Sequence, residues 1–461
     1  MTERESPRIA RRTTLLTGAI GSALGLFACA RSELFPPEAE PAPDAGHPLE
    51  LFELPEDRGF FPLGVQAGAM RDDTVLLWTF GVRSVPLELS VYVEGEASTD
   101  VELLGTLALP AGPDGFVHVR VQGVVPGAWH RYAFRSGDRR STFGRFRAAP
   151  PPDFRGILRV GATSCTSRTL APYRTLVALA RERLDLFLQV GDMSYNDGAR
   201  VLEDFRPLWF QTLTDPGYQA LLGATGAYFT WDDHEVVNDF DPEALALNDP
   251  TLLPTAKQAY LETLAVDQNP LGGLWQSYRW GQTAEFFVLD CRSERAPSTA
   301  LTPQSTYISA AQMSWLKAAL SVSTAHFKVI VNSVPIARYP TAPVWGPPTD
   351  RWEGYPAQRE ELLEHIASQP IEHVLFVSGD FHLGLVQQVD VVGRDAGLWE
   401  VVTGPGAQVP RDPTTLVSPQ ILQSLAEISC TTFDFDPAAS TVRVRFLNGD
   451  GQALIDRWLD A

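Results

Sequence analysis

WDDHEVVND, residues 231–239, places four ionisable side chains in a row directly after the apolar, β-prone residues 226–230. This pattern predicts a short strand that ends at the first acid. In layered α/β proteins, ligand pockets lie at the carboxyl ends of strands. Because successive strand side chains point to opposite faces, Asp232 and Asp233 face one site only if the chain is already turning. We expect one acid to be a ligand and the other to hold the site in place. The alternative interpretation of the whole stretch is a solvated polar turn.

Two further stretches share this design. They are LFLQVGD at residues 186–192 and VLFVSGD at residues 374–380. An apolar run predicts a strand buried on both faces, and the glycine allows a tight turn before the acid. Tyr195 follows the first acid by three positions, and His382 follows the second by two. Three strand ends that supply carboxylate, imidazole, phenol and amide groups indicate a metal site.

The motifs GDxxY, WDDHEV and GDxH, in this order, resemble those of the alkaline phosphatase D (PhoD-like) branch of the calcineurin-like metallophosphatases. The resemblance extends over roughly residues 60–450. It implies the α/β fold class, with a four-layer α/β/β/α metallophosphatase domain, and a site that holds Fe³⁺ and Ca²⁺.

Composition and patterning divide the chain into four parts. The predicted parts are a twin-arginine signal peptide at 1–30, a flexible linker rich in Pro, Glu and Ala at 31–50, an antiparallel β-sandwich at 51–149, and the metallophosphatase domain at 153–461. The sandwich is predicted because short alternating strands are separated by turns, and it resembles a fibronectin type III module. Nothing catalytic is visible in it.

The N-terminal residues predict export. Arg11 and Arg12 precede an uncharged, moderately apolar run, which is typical of a twin-arginine leader; the alternative is a disordered tail. Residues 28–30 fit a signal-peptidase site, whereas an imperfect lipoprotein box ends at Cys29. The flexible tether that follows favours a lipid anchor at Cys29. We expect a monomer in the periplasm or at the cell surface.

Charge and cysteine usage narrow the possible partners. The formal net charge of −19 argues against broad binding to nucleic acid or anionic bilayers. A phosphate site in such a chain must be locally positive, which bound metal ions provide. Four cysteines do not make a disulfide framework for 461 residues. Cys291 and Cys430 either pair in an oxidising compartment or are small buried hydrophobes.

The resemblance also implies roles for individual residues. Cys165 and Tyr195 would bind ferric iron, and a single carboxylate at Asp192 would bridge two metals. The predicted metal ligands are Cys165, Asp192, Tyr195, Asp233, Asn238, Asp380 and His382, and the predicted catalytic residue is His234, which would contact the phosphoryl oxygen. Two imidazoles of the wider superfamily are missing here and an acid has appeared, which favours hard cations such as Ca²⁺ beside the iron. A divalent-metal site is the alternative.

The predicted function is that of an exported, metal-dependent alkaline phosphatase. Metal-activated water or hydroxide would hydrolyse phosphate mono- or diesters. The alternatives are a phosphodiesterase or phospholipase on the same scaffold, and a non-catalytic surface binding protein. Arg292, at the end of another predicted strand, would either clamp phosphate or pair with a structural acid, and we favour the pairing.

Overall fold

A computed structural model describes residues 18–20, 50–95, 100–110, 114–339, 347–393 and 395–461. Apart from residues 18–20, the predicted signal peptide and linker lie outside these ranges up to residue 49, as does Cys29, and they stay predictions. None of the helices in the described ranges is long and apolar enough to cross a membrane.

The first part of the described chain is an antiparallel β-sandwich with one short helix. In the strand at 116–122, Val117, Val119 and Val121 are buried and the residues between them are partly exposed, as the sequence alternation predicts. The elements are β1 (Gly18–Ile20), α1 (Glu50–Glu53), β2 (Val65–Gly68), β3 (Thr74–Phe80), β4 (Leu87–Glu94), β5 (Val101–Leu109), β6 (Phe116–Gln122), β7 (Trp129–Ser136), β8 (Arg139–Arg140) and β9 (Gly144–Arg147).

The rest of the chain alternates strands and helices. Its strands are β10 (Leu158–Thr166), β11 (Leu186–Val190), β12 (Ala227–Thr230), β13 (Gln276–Trp280), β14 (Ala284–Val288), β15 (Phe327–Val331), β16 (Val374–Ser378), β17 (Gly384–Gln388), β18 (Trp399–Val402), β19 (Pro405–Ala407), β20 (Ile421–Leu425), β21 (Cys430–Asp436), β22 (Thr441–Leu447) and β23 (Ala453–Asp460). Its α-helices are α2 (Arg174–Leu179), α3 (Leu202–Leu213), α4 (Pro216–Ala224), α5 (Pro242–Asn248), α6 (Leu252–Thr263), α7 (Ala310–Val322) and α8 (Pro356–Ser368).

Two large sheets pack face to face in this second part. The first runs β12-β11-β10-β21-β22-β23, with β19 also paired to β10, and the second runs β13-β14-β15-β16-β18-β17-β20. Apolar side chains from both sheets, such as Leu188 and Val329, share one buried core. Helices α2, α3, α4 and α6 cover the outer face of the first sheet, and α7 and α8 cover the second. This is the predicted four-layer α/β/β/α architecture.

Three elements end at points that their neighbours determine. β10 continues to Thr166, because β19 pairs with its last residues. α2 ends at Leu179, and Arg183 after it has a left-handed backbone (φ 50°). At the C-terminal end of the described chain, β21, β22 and β23 pair in sequence as antiparallel strands.

The sandwich and the first of the two large sheets are joined at Gly68. This residue of β2 pairs with Ala227 of β12, so the sheet β1-β6-β3-β2 continues into β12-β11-β10. A Cβ at position 68 would lie 1.8 Å from the carbonyl oxygen of Ala265, a backbone atom that has little freedom to move. The close approach of two backbones therefore requires glycine here.

We expect Gly68→Ala to lower the free energy of unfolding by about 1–3 kcal/mol, because the added methyl group forces the backbone to shift. Chemical denaturation measures this change. Gly397→Ala is the matched control, since a Cβ there meets nothing within 4 Å. Equal stability of the two variants would contradict the proposed contact at this junction.

Candidate metal centre

The candidate ligands lie where the carboxyl ends of strands from both sheets meet. Cys165 lies near the end of β10, and Asp192 follows β11 by two residues. Asp233 follows β12 by three residues in the same sheet. Asp380 follows β16 of the second sheet by two residues. The three motifs therefore converge from separate strands, as the sequence predicts.

Two glycines allow this convergence, for different reasons. Gly191 has φ 88°, so it makes the tight turn expected before Asp192. A Cβ on Gly379 would lie 2.5 Å from the carbonyl oxygen of Val190 and 2.8 Å from Cβ of Ser164. Gly379 is thus needed for the close approach of the two sheets, whereas the sequence analysis expected it to turn the chain.

Four candidate ligands have a left-handed backbone that non-glycine residues seldom adopt. They are Cys165 (φ 54°), Asp192 (φ 54°), Asp380 (φ 67°) and His382 (φ 52°). Each such residue costs on the order of 1–3 kcal/mol, and such costs concentrate at functional sites. The fold therefore bears backbone strain to direct these side chains to one place.

The side chains form a continuous series of ligand atoms. Three groups have ligand atoms that all lie within 4.8 Å of one another: Cys165, Asp192 and His382; Asp192, Asp233 and His234; and Asp232, Asp233 and Asp380. Asp192 belongs to the first two groups and Asp233 to the last two. This overlap fits a centre with more than one metal, in which a carboxylate is shared between neighbouring ions.

Glu235 holds two of the strand ends together. Its buried carboxylate accepts backbone N–H bonds from Asp192 (3.1 Å), Met193 (2.5 Å) and Asp232 (2.8 Å). Burial raises the pKa of Glu235 to about 6 against the lowering effect of these donors. The sequence analysis did not single out Glu235, although an acid inside the WDDHEV motif was a visible signal.

Arg292 braces the acidic centre from behind. Its side chain is fully buried, its Nε donates to Asp232, and its Nη1 donates to Asp350 at 2.6 Å. Its Nη2 lies 3.6 Å from Asp233 and 3.7 Å from Asp380. The structural-pair alternative predicted for Arg292 is therefore what the structure shows. Of the pair at 232–233, Asp232 is the acid to which Arg292 donates a hydrogen bond.

His234 lies in the centre between two supporting side chains. Its Nδ1 lies 2.7 Å from Asp197 Oδ2, and its ring centroid lies 4.1 Å from that of Tyr195. Burial lowers the pKa of His234, but the carboxylates of Asp192, Asp197 and Asp233 outweigh it and raise the pKa to about 10. Asp197 is a functional candidate that the sequence analysis missed, since no motif includes it.

Tyr195 reaches the centre, and Asn238 lies beside it at the surface. The Tyr195 hydroxyl donates to Asp192 Oδ2 at 3.3 Å. Asn238 is exposed, its side-chain amide N–H donates to Asp239 (2.8 Å), and its backbone N–H donates to Asp197 (2.8 Å). The role of Asn238 as a metal ligand stays a prediction.

The two other described cysteines are unpaired. Cys291 and Cys430 are buried free thiols. Cys291 donates to Asn332 Oδ1 at 2.8 Å, and Cys430 donates to the Thr175 carbonyl oxygen at 3.4 Å. The alternative of two small buried hydrophobes therefore describes them, and the disulfide alternative does not.

Comparison with known proteins agrees with this geometry. The family model described as "PhoD-like phosphatase" matches residues 160–430, and that of the "PhoD-like phosphatase, N-terminal domain" matches residues 49–150. The chain belongs to the PhoD-like phosphatase family. The predicted resemblance to this family is thereby confirmed.

The individual relatives of this PhoD-like chain match different fractions of its length. Alkaline phosphatase D of Bacillus subtilis is 28% identical over 386 residues, which is 72% of this chain and 66% of that protein, just under two thirds of its length. A solved structure of PhoD matches 87% of this chain and 88% of its own at 23% identity and TM-score 0.75. The structure of a purple acid phosphatase from yellow lupin matches 86% of this chain and 73% of its own at 12% identity and TM-score 0.61. These structures confirm the predicted fold class.

The donor set of the PhoD-like centre fits bound cations. Burial raises the pKa of Asp192 and Asp232 well above the usual range, and neighbouring acids raise both further. Burial likewise raises the pKa of Asp380 to about 6 and that of the Cys165 thiol well above its usual value. Acids this close together are deprotonated together only where a positive charge offsets the repulsion between their carboxylates. The single positive charge of Arg292 is shared among several of them. Metal ions bound by these side chains would provide that charge.

Proposed function

We propose that this protein is a metal-dependent phosphoesterase that hydrolyses phosphate mono- or diesters. The observation that supports this most is the overlap of the three ligand groups through Asp192 and Asp233. Asp192 and Asp233 would each be shared between neighbouring cations, and cations held in this way would supply positive charge to a phosphoryl group. Membership of the PhoD-like phosphatase family supports the same activity.

The side chains of the chain have separate roles in this reaction. Bound metal ions would lower the pKa of water and stabilise charge on the phosphoryl oxygens. His234 lies beside the centre with Nδ1 on Asp197, which orients the ring and leaves Nε2 to donate to a phosphoryl or leaving-group oxygen. Asp197, which lies outside the three ligand groups, favours the protonated form of this ring.

We further propose Fe³⁺ in the group with the thiol and phenol, and Ca²⁺ in the carboxylate-rich group. Cys165 and Tyr195 both lie near Asp192, and thiolate and phenolate suit a trivalent iron. Asp232, Asp233 and Asp380 offer only carboxylate oxygens, which suit a hard cation. His382 adds an imidazole to the first group.

The decisive experiment is metal analysis of the purified protein combined with a panel of phosphate mono- and diesters. We expect iron and calcium to copurify, calcium chelation to abolish turnover, and added calcium to restore it. If zinc alone restores full activity to stripped enzyme, the assignment of hard cations is wrong. If no ester in the panel is hydrolysed by the metal-loaded protein, the proposed activity is wrong.

We also propose export through the twin-arginine route, on the basis of Arg11 and Arg12 before the apolar run. This route would carry a folded chain with its metals already bound. A variant with both arginines changed to lysine should stay in the cytoplasm, as cell fractionation would show. Normal export of that variant contradicts the proposal.

A further inference from the structure

A buried tyrosine on α4, outside the sequence motifs, contacts the two strands that lead to Cys165 and Asp192. Tyr218 is 0% exposed, and its hydroxyl oxygen lies 2.7 Å from Oγ1 of Thr166 and 3.1 Å from Oε1 of Gln189. Thr166 follows Cys165 on β10, and Gln189 lies on β11, just before the turn to Asp192. One hydroxyl group therefore connects the strand ends that carry two candidate ligands.

Thr166 and Gln189 continue this contact to the turn at Asp192. The Thr166 hydroxyl donates to the Met193 carbonyl oxygen at 2.9 Å, and the Thr166 backbone N–H donates to the Asp192 carbonyl oxygen at 2.9 Å. The side-chain Nε2 of Gln189 donates to the Gly191 carbonyl oxygen at 3.0 Å. Three successive carbonyl groups of the turn are thus held by one network, and the tyrosine hydroxyl is part of it.

The backbone that this network holds is strained at both candidate ligands. Cys165 and Asp192 each have a left-handed backbone (φ 54°), a conformation that persists in such residues where the surrounding structure imposes it. The Cys165 backbone N–H also donates to the Gly191 carbonyl oxygen at 3.3 Å, which joins the two strand ends directly. The thiol of Cys165 and the carboxylate of Asp192 take no part in these backbone bonds, so they can bind a cation while the network holds the turn.

We propose that Tyr218 is a positioning residue of the metal centre, which acts through Thr166 to hold Cys165 and Asp192 in the arrangement that binds a cation. Its hydroxyl hydrogen-bonds neighbours of the two ligands in the chain rather than the ligands themselves. Loss of a group that orients a metal ligand weakens metal binding about 10–100-fold. This inference rests on the proposed metal-dependent phosphoesterase function and adds a residue that none of the sequence motifs includes.

The test is a titration of the full-length protein, stripped of its metals, with Co²⁺. Thiolate complexes of Co²⁺ have a charge-transfer band, which reports on binding by Cys165. Tyr218→Phe keeps the ring and removes the hydroxyl, and we expect it to raise the Kd for Co²⁺ about tenfold, the lower end of the usual range, because Tyr218 acts through another residue. The band per bound ion should shift or weaken. In metal-loaded protein, kcat should fall and KM should change little, because the buried hydroxyl is out of reach of the substrate.

Tyr228→Phe is the matched control, because it also removes a buried tyrosine hydroxyl that has two partners. The Tyr228 hydroxyl donates to the Met70 carbonyl oxygen at 2.7 Å and accepts from Trp280 Nε1 at 2.9 Å, and neither partner adjoins a candidate ligand in the chain. Chemical denaturation should show similar losses of stability in the two variants. If Tyr228→Phe weakens Co²⁺ binding as much as Tyr218→Phe does, the effect follows stability rather than position, and the proposal is overturned. Co²⁺ binding by Tyr218→Phe that equals the wild type overturns it as well.

Variants of Thr166 test the path between the tyrosine and the ligands. Thr166→Val removes the hydroxyl at nearly the same size and should weaken Co²⁺ binding, whereas Thr166→Ser keeps the hydroxyl and should bind Co²⁺ as the wild type does. If Tyr218 acts through Thr166, the free-energy effects of Tyr218→Phe and Thr166→Val on binding add to less than their sum in the double variant. Full additivity overturns the proposal. Should Tyr218→Phe not fold, wild-type Co²⁺ binding by folded Thr166→Val overturns it.

The role of Tyr218 and the phosphoesterase proposal fail in different ways. If the wild-type protein hydrolyses esters but Tyr218→Phe keeps the wild-type Kd and band for Co²⁺, only the role of Tyr218 is wrong. If the metal-loaded wild-type protein hydrolyses no ester, the phosphoesterase proposal is wrong, while the Co²⁺ titrations still decide whether Tyr218 positions the ligands.

Discussion

Arg292→Ala is expected to destabilise the fold by about 3–5 kcal/mol, the cost of removing one partner from a buried ion pair. Asp232 and Arg292 have fully buried side chains, and Asp350 shares the same guanidinium. Without Arg292, Asp232 keeps a charge with no opposite charge beside it or takes up a proton. Either outcome costs free energy, and chemical denaturation measures the loss.

The matched control is Arg174→Ala, which also breaks an arginine–aspartate pair. Arg174 and Asp450 are 69% and 64% exposed, so solvent screens their attraction and the expected loss is about 0–1 kcal/mol. Similar losses in the two variants would show that burial of Arg292 has no special cost, and would contradict the prediction.

A double variant separates the loss of the pair from the loss of volume. Asp232→Asn added to Arg292→Ala removes the unpaired buried charge, so it should recover part of the stability. No recovery would mean that the cavity left by the arginine, rather than the charge, accounts for the loss. Both variants should be compared without metal, since Asp232 also lies in one of the ligand groups.

The convergence of the three motifs was predictable because it depends on local signals. Each apolar run ends at an acid, and parallel strands bring their carboxyl ends to one edge. Gly191 and Asp192 show how local the signal is, since a glycine with positive φ and the next residue turn the chain by themselves. The candidate ligands after β11, β12 and β16 were therefore predicted without knowledge of the packing, whereas Cys165 on β10 was predicted from the family resemblance.

The supporting contacts were not predictable because they join residues far apart in the chain. Arg292 pairs with Asp232 across 60 positions, and Asp197 contacts His234 across 37. Nothing in the spacing of such residues marks them as partners.

The position of Asn238 depends on a local turn. The motif places an amide four positions after His234, and the sequence alone does not tell which way the chain turns after Val237. In the structure Asn238 is exposed and donates to Asp239. Asp239 has a left-handed backbone (φ 53°), so the turn occurs at this point.

Asp192→Asn is expected to have the largest effect on activity. Asp192 is the carboxylate shared by the group with Cys165 and the group with His234. Loss of a residue that merely supports a ligand costs about 10–100-fold, so loss of a shared ligand should lower kcat on the order of a thousandfold. Metal content should fall as well, and elemental analysis of the purified variant measures it.

Asparagine suits this test because it changes the charge and little else. The Asp192 backbone is left-handed (φ 54°), and asparagine is among the few residues that adopt this conformation readily. Burial and neighbouring acids raise the pKa of Asp192, so the metal-free variant should be at least as stable as metal-free wild type. A large loss of stability without metal would show that the variant is misfolded rather than deprived of a ligand.

Tyr195→Phe is the companion variant, and it separates the two metals. The ring stays against His234 at 4.1 Å, whereas the hydroxyl that donates to Asp192 is removed. If Tyr195 binds ferric iron as phenolate, the wild-type protein is coloured by charge transfer, and this variant loses or shifts that band while it retains calcium. Asp192→Asn should lower the content of both metals, because its carboxylate is shared. An iron-loaded Tyr195→Phe protein with the wild-type spectrum, or an Asp192→Asn protein with wild-type metal content and kcat, would contradict these assignments.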